Sequence, residues 1–255
     1  MSTPPVSIVI PAYNESARLA STLPALLEHL AGTDAEIVVV DDGSRDDTAV
    51  VVRRLLAGVP RARVEQLPEN RGKGAAVRAG VAVATGDALV FMDADLATDL
   101  SALEVVLRAL EDADVVVGSR AVPGSVVFNG TRGRALMGRA FNRMVRVVTR
   151  LDVHDTQCGF KAFRGPVAKL LFALCQSDGF AFDTEILHDA RILGYSIIEV
   201  PVTWTAVDGS SVRPVLDSLS TAIGLMRVVI RSRRTRVRAA ARELGWDPSA
   251  AALSR

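Results

Sequence analysis

The chain has 255 residues, 49% of them hydrophobic, which is enough for one α/β domain with a full core. Its 30 basic and 29 acidic side chains nearly cancel, so no global field attracts the whole protein to nucleic acid or to an anionic membrane. Cys158 and Cys175 are too few for a disulfide framework and lack the histidine spacing of a structural zinc site.

The first half alternates short runs rich in valine and isoleucine with amphipathic stretches, a pattern typical of βαβ units around a buried parallel sheet. We predict a single α/β domain with a mostly parallel central sheet flanked by helices. Right-handed crossovers place the carboxyl ends of such strands at one edge, where open α/β sheets bind ligands. The predicted strands cover residues 6–11, 35–40, 63–67, 88–92 and 113–118.

Helical segments separate these strands. Leucines between residues 19 and 30 recur at helical spacing, and Ser44 with Asp47 predicts a capping box for the next helix. Residues 120–134 have no clear period and are expected to form a mobile loop, followed by a helix over residues 135–149. Residues 196–205 form an extended run that Pro201 interrupts.

The C-terminal segment is amphipathic and rich in arginine. We therefore predict one main α/β domain over residues 1–214, followed by an amphipathic basic helix and tail over 215–255. Its arginine cluster suits a membrane surface with anionic lipid headgroups, and a solvated helical tail explains it equally well. The N-terminus lacks the features of a secretory signal, and no stretch has the length of a bilayer span. We therefore expect a cytoplasmic protein, peripheral at the cytoplasmic face of a membrane.

Two carboxylates follow the fourth predicted strand directly. Asp93 and Asp95 lie where the sheet opens onto its ligand edge. Hard divalent cations such as Mg²⁺ are bound by one or two carboxylates together with phosphate oxygens, which a nucleotide diphosphate supplies. Taken alone, such a pair more often caps a helix, so the prediction of a metal site depends on the neighbouring turns.

Those turns converge at the same predicted edge. Residues 11–15 follow the first strand and residues 41–44 follow the second, which brings further polar and acidic side chains to the edge. A carboxylate there can accept hydrogen bonds from a base or from ribose hydroxyls, and Tyr13 can lie against a base. Residues 70–74 open a helix with two glycines and Lys73, a combination that brings a cation and backbone N–H groups near phosphates.

In this order, the motifs resemble those of the family 2 glycosyltransferases, whose nucleotide-binding domain is of the GT-A type. Residues 93–98, 155–161 and 182–185 are similar to segments of the dolichyl-phosphate β-glucosyltransferases in particular. This resemblance implies transfer of glucose from UDP-glucose to a dolichyl or polyprenyl phosphate, with inversion and with Mg²⁺ or Mn²⁺ as cofactor. Related mannosyl synthases commonly have glutamine where this chain has Ala97, which favours the glucosyl branch.

The resemblance also implies a role for each matching residue. Asp93 and Asp95 would hold metal and diphosphate, and Asp155 would act as a base if the acceptor were a hydroxyl. Relatives commonly have Gly-Ser-Lys where this chain has Ser211 after Gly-Ser, so Arg213 is the candidate replacement for that lysine. The residues expected to hold the nucleotide are Pro11, Tyr13, Glu15, Asp41, Asp42 and Lys73. The residues expected to meet phosphate or acceptor are Arg120, Arg132, Lys161, Asp183 and Arg213.

The expected nucleophile is a phosphate oxygen, which is already ionised at neutral pH, so a strong general base is unnecessary. Sister enzymes that use GDP-mannose or a UDP-amino sugar, or a soluble acceptor, remain open alternatives. Sugar-phosphate nucleotidyltransferases are disfavoured because the first strand lacks their glycine-rich turn with arginine. A binding module without turnover is disfavoured because Asp93 and Asp95 are both present.

Overall fold

The computed structural model of the chain describes residues 5–207 and 234–247. Nine strands and eight helices occur in these residues. The strands are β1 (Val6–Ala12), β2 (Glu36–Asp41), β3 (Ala62–Gln66), β4 (Ala88–Met92), β5 (Val115–Ser119), β6 (Val126–Phe128), β7 (Phe160–Arg164), β8 (Ile197–Pro201) and β9 (Thr203–Thr205). The helices are α1 (Ser16–His29), α2 (Thr48–Leu55), α3 (Lys73–Val83), α4 (Ala102–Ala109), α5 (Arg132–Thr149), α6 (Gly165–Leu174), α7 (Phe182–Leu193) and α8 (Arg234–Glu243).

Seven strands form the central sheet, in the order β3-β2-β1-β4-β7-β5-β8. All neighbours are parallel except β7, which lies antiparallel between β4 and β5. The remaining strands, β6 and β9, pair with each other in a small second sheet. The prediction of one α/β domain with a mostly parallel sheet is therefore confirmed, and the carboxyl ends of β1, β2 and β4 meet at one edge.

Helices cover both faces of the sheet, which explains why β1, β2, β4 and β5 are buried along their whole length. Alternate residues of each strand belong to two separate cores. Val9 and Phe91 pack with α3, α6 and α7, whereas Ile8 and Val90 pack with α1, α2 and α4. The strands consequently form a rigid platform that fixes the positions of the loops at their carboxyl ends.

Several predicted boundaries were wrong. The capping box of Ser44 and Asp47 does not form, because α2 begins at Thr48, whose backbone N–H donates to the carboxylate of Asp46. Residues 120–134 contain β6 and the start of α5 in addition to loop, since β9 offers β6 a pairing partner. The helix predicted over 135–149 begins three residues earlier, at Arg132.

The C-terminal segment is described only in part. The helix α8 spans Arg234–Glu243, and its Val237 and Ala241 belong to the core beside α6 and α7. The proposed domain boundary at residue 214 and the apolar part of the predicted amphipathic helix lie outside the described residues, so both stay predictions. Among the described residues, no helix combines the length and the hydropathy that crossing a bilayer requires.

Candidate active site

A cleft of about 360 Å³ opens at the carboxyl edge of β1, β2 and β4. Its walls come from the turns after these strands and from the start of α3, which is where sequence analysis places the ligand. Six residues predicted to bind nucleotide or metal line this cleft together with Asp93: they are Pro11, Tyr13, Glu15, Asp42, Lys73 and Asp95.

Asp93 and Asp95 stand side by side at the end of β4. The carboxylate of Asp93 is 39% exposed and contacts the amine of Lys73 at 2.6 Å. One carboxylate oxygen of Asp95 accepts the backbone N–H of Ala97 at 3.0 Å. Burial, followed by the neighbouring charge of Asp93, raises the pKa of Asp95 above its ordinary value. The two carboxylates therefore repel each other, and a further positive charge beside them would lower the pKa of Asp95.

Gly159 fixes the position of Asp93 from behind. Its carbonyl accepts the backbone N–H of Asp93 at 3.1 Å. A Cβ atom placed on Gly159 would lie 1.8 Å from the nearer carboxylate oxygen of Asp93, far inside van der Waals contact. Only glycine therefore allows the antiparallel strand β7 to begin so close to the carboxylate.

The start of α3 lines the cleft with Gly72, Lys73 and Ala76. Gly72 has a φ of 107°, a left-handed conformation that favours glycine, and a Cβ there would lie 2.6 Å from the carbonyl of Asp178. Asp42 holds this turn, since its carboxylate accepts the N–H groups of Arg71 and Gly72 at 2.9 and 2.7 Å. Burial lowers the pKa of Lys73, but the carboxylates of Asp93 and Asp183 outweigh it and raise that pKa overall, so the amine is a cation.

The cleft is also lined by Tyr13 and by an ion pair between Glu15 and Arg18 at 2.7 Å. Burial raises the pKa of Glu15 despite this pair. Asp41 does not line the cleft: it is fully buried and accepts hydrogen bonds from the Ser44 backbone and the Gln66 amide. In this structure it shapes the turn after β2, whereas Asp42 reaches the cleft.

Arg120 and Asp155 form a bidentate ion pair, with distances of 2.7 and 2.8 Å. Burial of Asp155 raises its pKa, but the hydrogen bonds and the charge of Arg120 prevail and hold that pKa below its usual value. The guanidinium also stacks over the ring of Trp204 at 5.2 Å. Trp204 and Asp93 line one small cavity, whereas neither Trp204 nor Arg120 lines the larger cleft.

Lys161 and Asp183 pair beneath the cleft. The lysine is fully buried, and its amine contacts the Asp183 carboxylate at 2.5 Å and the Cys158 carbonyl at 2.6 Å. Burial raises the pKa of Asp183, and Lys161 opposes that shift. The structure thus gives Lys161 an internal partner and does not bring its amine to the cleft surface, so contact with an acceptor phosphate stays a prediction.

Two other predicted residues cannot be located as side chains. Arg132 begins α5, and only its backbone is described; Arg213 lies outside the described residues. Three lining or supporting residues escaped prediction. Arg18 follows Glu15 at a spacing of three on α1, which was a usable signal. Phe180 lines the cleft from the turn before α7 and has no local sequence signal. Gly159 supports Asp93; it lies within the matching segment 155–161, but the sequence assigned it no role.

The carboxylate pair fits a hard divalent cation. Among the described residues no cluster of three or more His, Cys, Asp or Glu side chains could hold a metal ion. A divalent cation can instead be held by two carboxylates together with the phosphates of a ligand. Asp93 and Asp95 fit this arrangement, because they line a cleft that also contains Lys73. The pKa of Asp95 is raised, and a positive ion bound beside it would lower that pKa again.

This fold and this cleft define a glycosyltransferase domain of the GT-A type. The chain belongs to glycosyl transferase family 2, whose profile matches residues 7–172. The dolichyl-phosphate β-glucosyltransferase of Drosophila melanogaster is 37% identical over 243 residues, which cover 89% of this chain and 74% of that protein. The enzyme of the same name from Dictyostelium discoideum is 34% identical, with the same coverage of 89% and 74%.

Solved structures confirm the fold. Glucosyl-3-phosphoglycerate synthase from Mycobacterium tuberculosis, crystallised with Mn²⁺, UDP and phosphoglyceric acid, aligns with a TM-score of 0.66. The alignment covers 89% of this chain and 78% of that one, at 23% sequence identity. At this level of identity the similarity concerns the architecture.

Proposed function

We propose that the protein transfers glucose from UDP-glucose to the phosphate of a dolichyl or other polyprenyl phosphate, in a reaction that depends on Mg²⁺ or Mn²⁺. The observation that carries the proposal is the cleft at the end of β4, where Asp93, Asp95 and Lys73 converge. Two relatives named for this activity are 34% and 37% identical over 89% of the chain, which supports the donor and acceptor classes.

In the proposed reaction, Tyr13 and Asp42 contact the nucleoside, and Lys73 with the start of α3 faces the diphosphate. Asp93 and Asp95 supply the carboxylate oxygens for the cation. When bound, a divalent ion provides Lewis-acid stabilisation of the departing diphosphate. The protein residues contribute chiefly by orientation and by a fixed electrostatic environment, which general chemistry identifies as the largest catalytic terms.

The acceptor side has the charge that an anionic nucleophile requires. Arg120 keeps a partly exposed guanidinium between Asp155 and Trp204, beside the small cavity next to Asp93. We place the acceptor phosphate against this guanidinium, because the cavity itself, with a volume of about 10 Å³, has room for a water molecule and not for a phosphate. Its second ionisation occurs near pH 6, so the nucleophile needs no strong base at neutral pH. Asp155, with its lowered pKa and its bidentate partner, is a weak base and acts instead by holding Arg120.

The test is a transfer assay with radiolabelled UDP-glucose, GDP-mannose and UDP-N-acetylglucosamine in parallel, with polyprenyl phosphate in detergent and either Mg²⁺ or Mn²⁺. Metal-dependent label in the lipid from UDP-glucose is the expected result. Asp95→Asn should abolish the label. Asp87→Asn is the matched control, because Asp87 lies just before β4, at the end of the strand opposite to Asp93. This substitution should leave transfer unchanged.

Other outcomes would correct the proposal in specific ways. Label from GDP-mannose or from the amino sugar would keep the mechanism and replace the donor. Transfer only to a soluble acceptor such as a phosphoglycerate would refute the lipid acceptor. Binding of UDP without turnover under any of these conditions would refute the enzymatic role.

A further inference from the structure

We propose that an exposed surface formed by β6 and the outer side of α5 docks the protein on a lipid bilayer that contains anionic headgroups. Large hydrophobic side chains are exposed on both elements: Val126, Val127 and Phe128 of β6, and Leu136, Met137, Met144, Val147 and Val148 of α5. This group, the α5–β6 surface, contributes eight of the twelve exposed large hydrophobic side chains found in the described part of the chain. All eight lie within residues 126–148, and such concentration in one stretch of the chain distinguishes an interaction surface from scattered exposure.

The rotation of α5 is fixed by its inner face. Val145 and Thr149 are buried, and the side chain of Asn142 accepts hydrogen bonds from the backbone and hydroxyl of Thr156 at 3.2 and 2.9 Å. At about 100° per residue, the five exposed apolar side chains of the helix fall within an arc of about 120° on the outer side. They cannot turn inward without breaking these inner contacts.

A cluster of arginines accompanies this apolar face. Residues 115–151 contain seven arginines and no lysine, aspartate or glutamate, although the whole chain has a net charge of only +1. Arg139, Arg143 and Arg146 recur every three or four residues of α5 and thus line one edge of the apolar arc, and Arg150 follows directly after the helix. Arg146 contacts Asp152 at 3.3 Å, and the other three are exposed.

Apolar side chains beside a stripe of arginines are the two features that hold a helix in the interface of an anionic bilayer. Soluble anions and nucleic acids would use the charge but would leave the apolar side chains in water. A bilayer is the partner that satisfies both. The residues of this surface are not those of the C-terminal arginine cluster, and its docking does not depend on the proposed transfer reaction.

The α5–β6 surface adjoins the catalytic edge of the sheet. In the small sheet, Val127 of β6 pairs with Trp204 of β9. Trp204 in turn lines the cavity that contains Asp93. A bilayer against β6 would therefore lie one strand away from this cavity. If the acceptor is a lipid phosphate, as proposed above, docking would bring that phosphate close to Trp204 and Arg120.

Flotation of the full-length protein with vesicles tests the proposal. Vesicles of phosphatidylcholine containing about one third phosphatidylglycerol should bind the protein, and the binding should weaken with salt. Arg143→Gln should lower the partition coefficient about fivefold, and Val147→Ser roughly tenfold. The matched controls are Arg54→Gln and Val50→Ser on α2, where Val50 is 63% exposed against 74% for Val147; both should bind like wild type.

Calorimetric binding of UDP without lipid should be the same for all four variants, which separates loss of docking from loss of folding or of the nucleotide site. Equal binding of the α5 and α2 variants would overturn the proposal, as would failure of the wild-type protein to bind these vesicles. A concentration-dependent dimer that Val147→Ser abolishes would also overturn it, since the surface would then be an interface between two copies of the chain.

Discussion

Replacing Gly159 with alanine should damage the candidate metal site without changing its ligands. The new Cβ would lie 1.8 Å from a carboxylate oxygen of Asp93, whereas real contacts of this kind essentially never fall below 3.0 Å. The carboxylate must therefore retreat by roughly 1 Å. Misplacement on this scale costs about 100-fold in rate when a reacting group is held by its geometry. We expect a loss of this size in kcat/KM for glucosyl transfer, together with weaker activation by metal.

The assay is a metal titration of initial rates for wild type, Gly159→Ala and a control, with melting temperatures measured in parallel. Gly179→Ala is the control, because a Cβ at Gly179 would meet no atom within 4 Å. It should retain the wild-type rate and metal response. Activity of Gly159→Ala within about threefold of wild type, with unchanged metal dependence, would refute the reasoning that the position of Asp93 controls catalysis.

Two further predictions concern buried groups around the site. Arg120→Met should leave Asp155 unpaired and lower stability by about 3 kcal/mol at neutral pH, or about 9 °C in melting temperature. Because Arg120 keeps the pKa of Asp155 low in the wild type, its stabilisation is present above the unfolded-state pKa of Asp155 and is lost as pH falls through the lowered folded pKa. In the variant Asp155 protonates more readily, so calorimetry should show that the stability difference between wild type and Arg120→Met narrows towards pH 4. A stability difference that is constant with pH would contradict this reasoning. Both thiols should resist a thiol reagent at pH 8, because burial raises the pKa of Cys158 to about 11 and also raises the pKa of Cys175. At pH 8 only about one Cys158 side chain in a thousand is then a thiolate. Rapid labelling of the native protein would contradict the burial, and denaturation should expose two thiols.

The sequence alone predicted the features that local pattern encodes. Runs of β-branched residues gave the parallel strands, because strands covered on both faces must be apolar throughout. Asp93 and Asp95 could be placed at the ligand edge because they follow such a run directly. The same reasoning placed Tyr13, and the two glycines that open α3 placed Lys73; both residues line the cleft.

Only the tertiary structure decided which polar groups pair. Lys161 and Asp183 were both expected at the acceptor, and that role stays a prediction. The structure shows that they pair with each other below the cleft, because the antiparallel insertion of β7 buries that lysine. Arg120 likewise meets Asp155 across 35 positions of sequence. Charge, residue type and local period determine on which strand, helix or turn a residue lies. The partner of its side chain depends on the order of the strands in the sheet, which no local pattern in this chain specified.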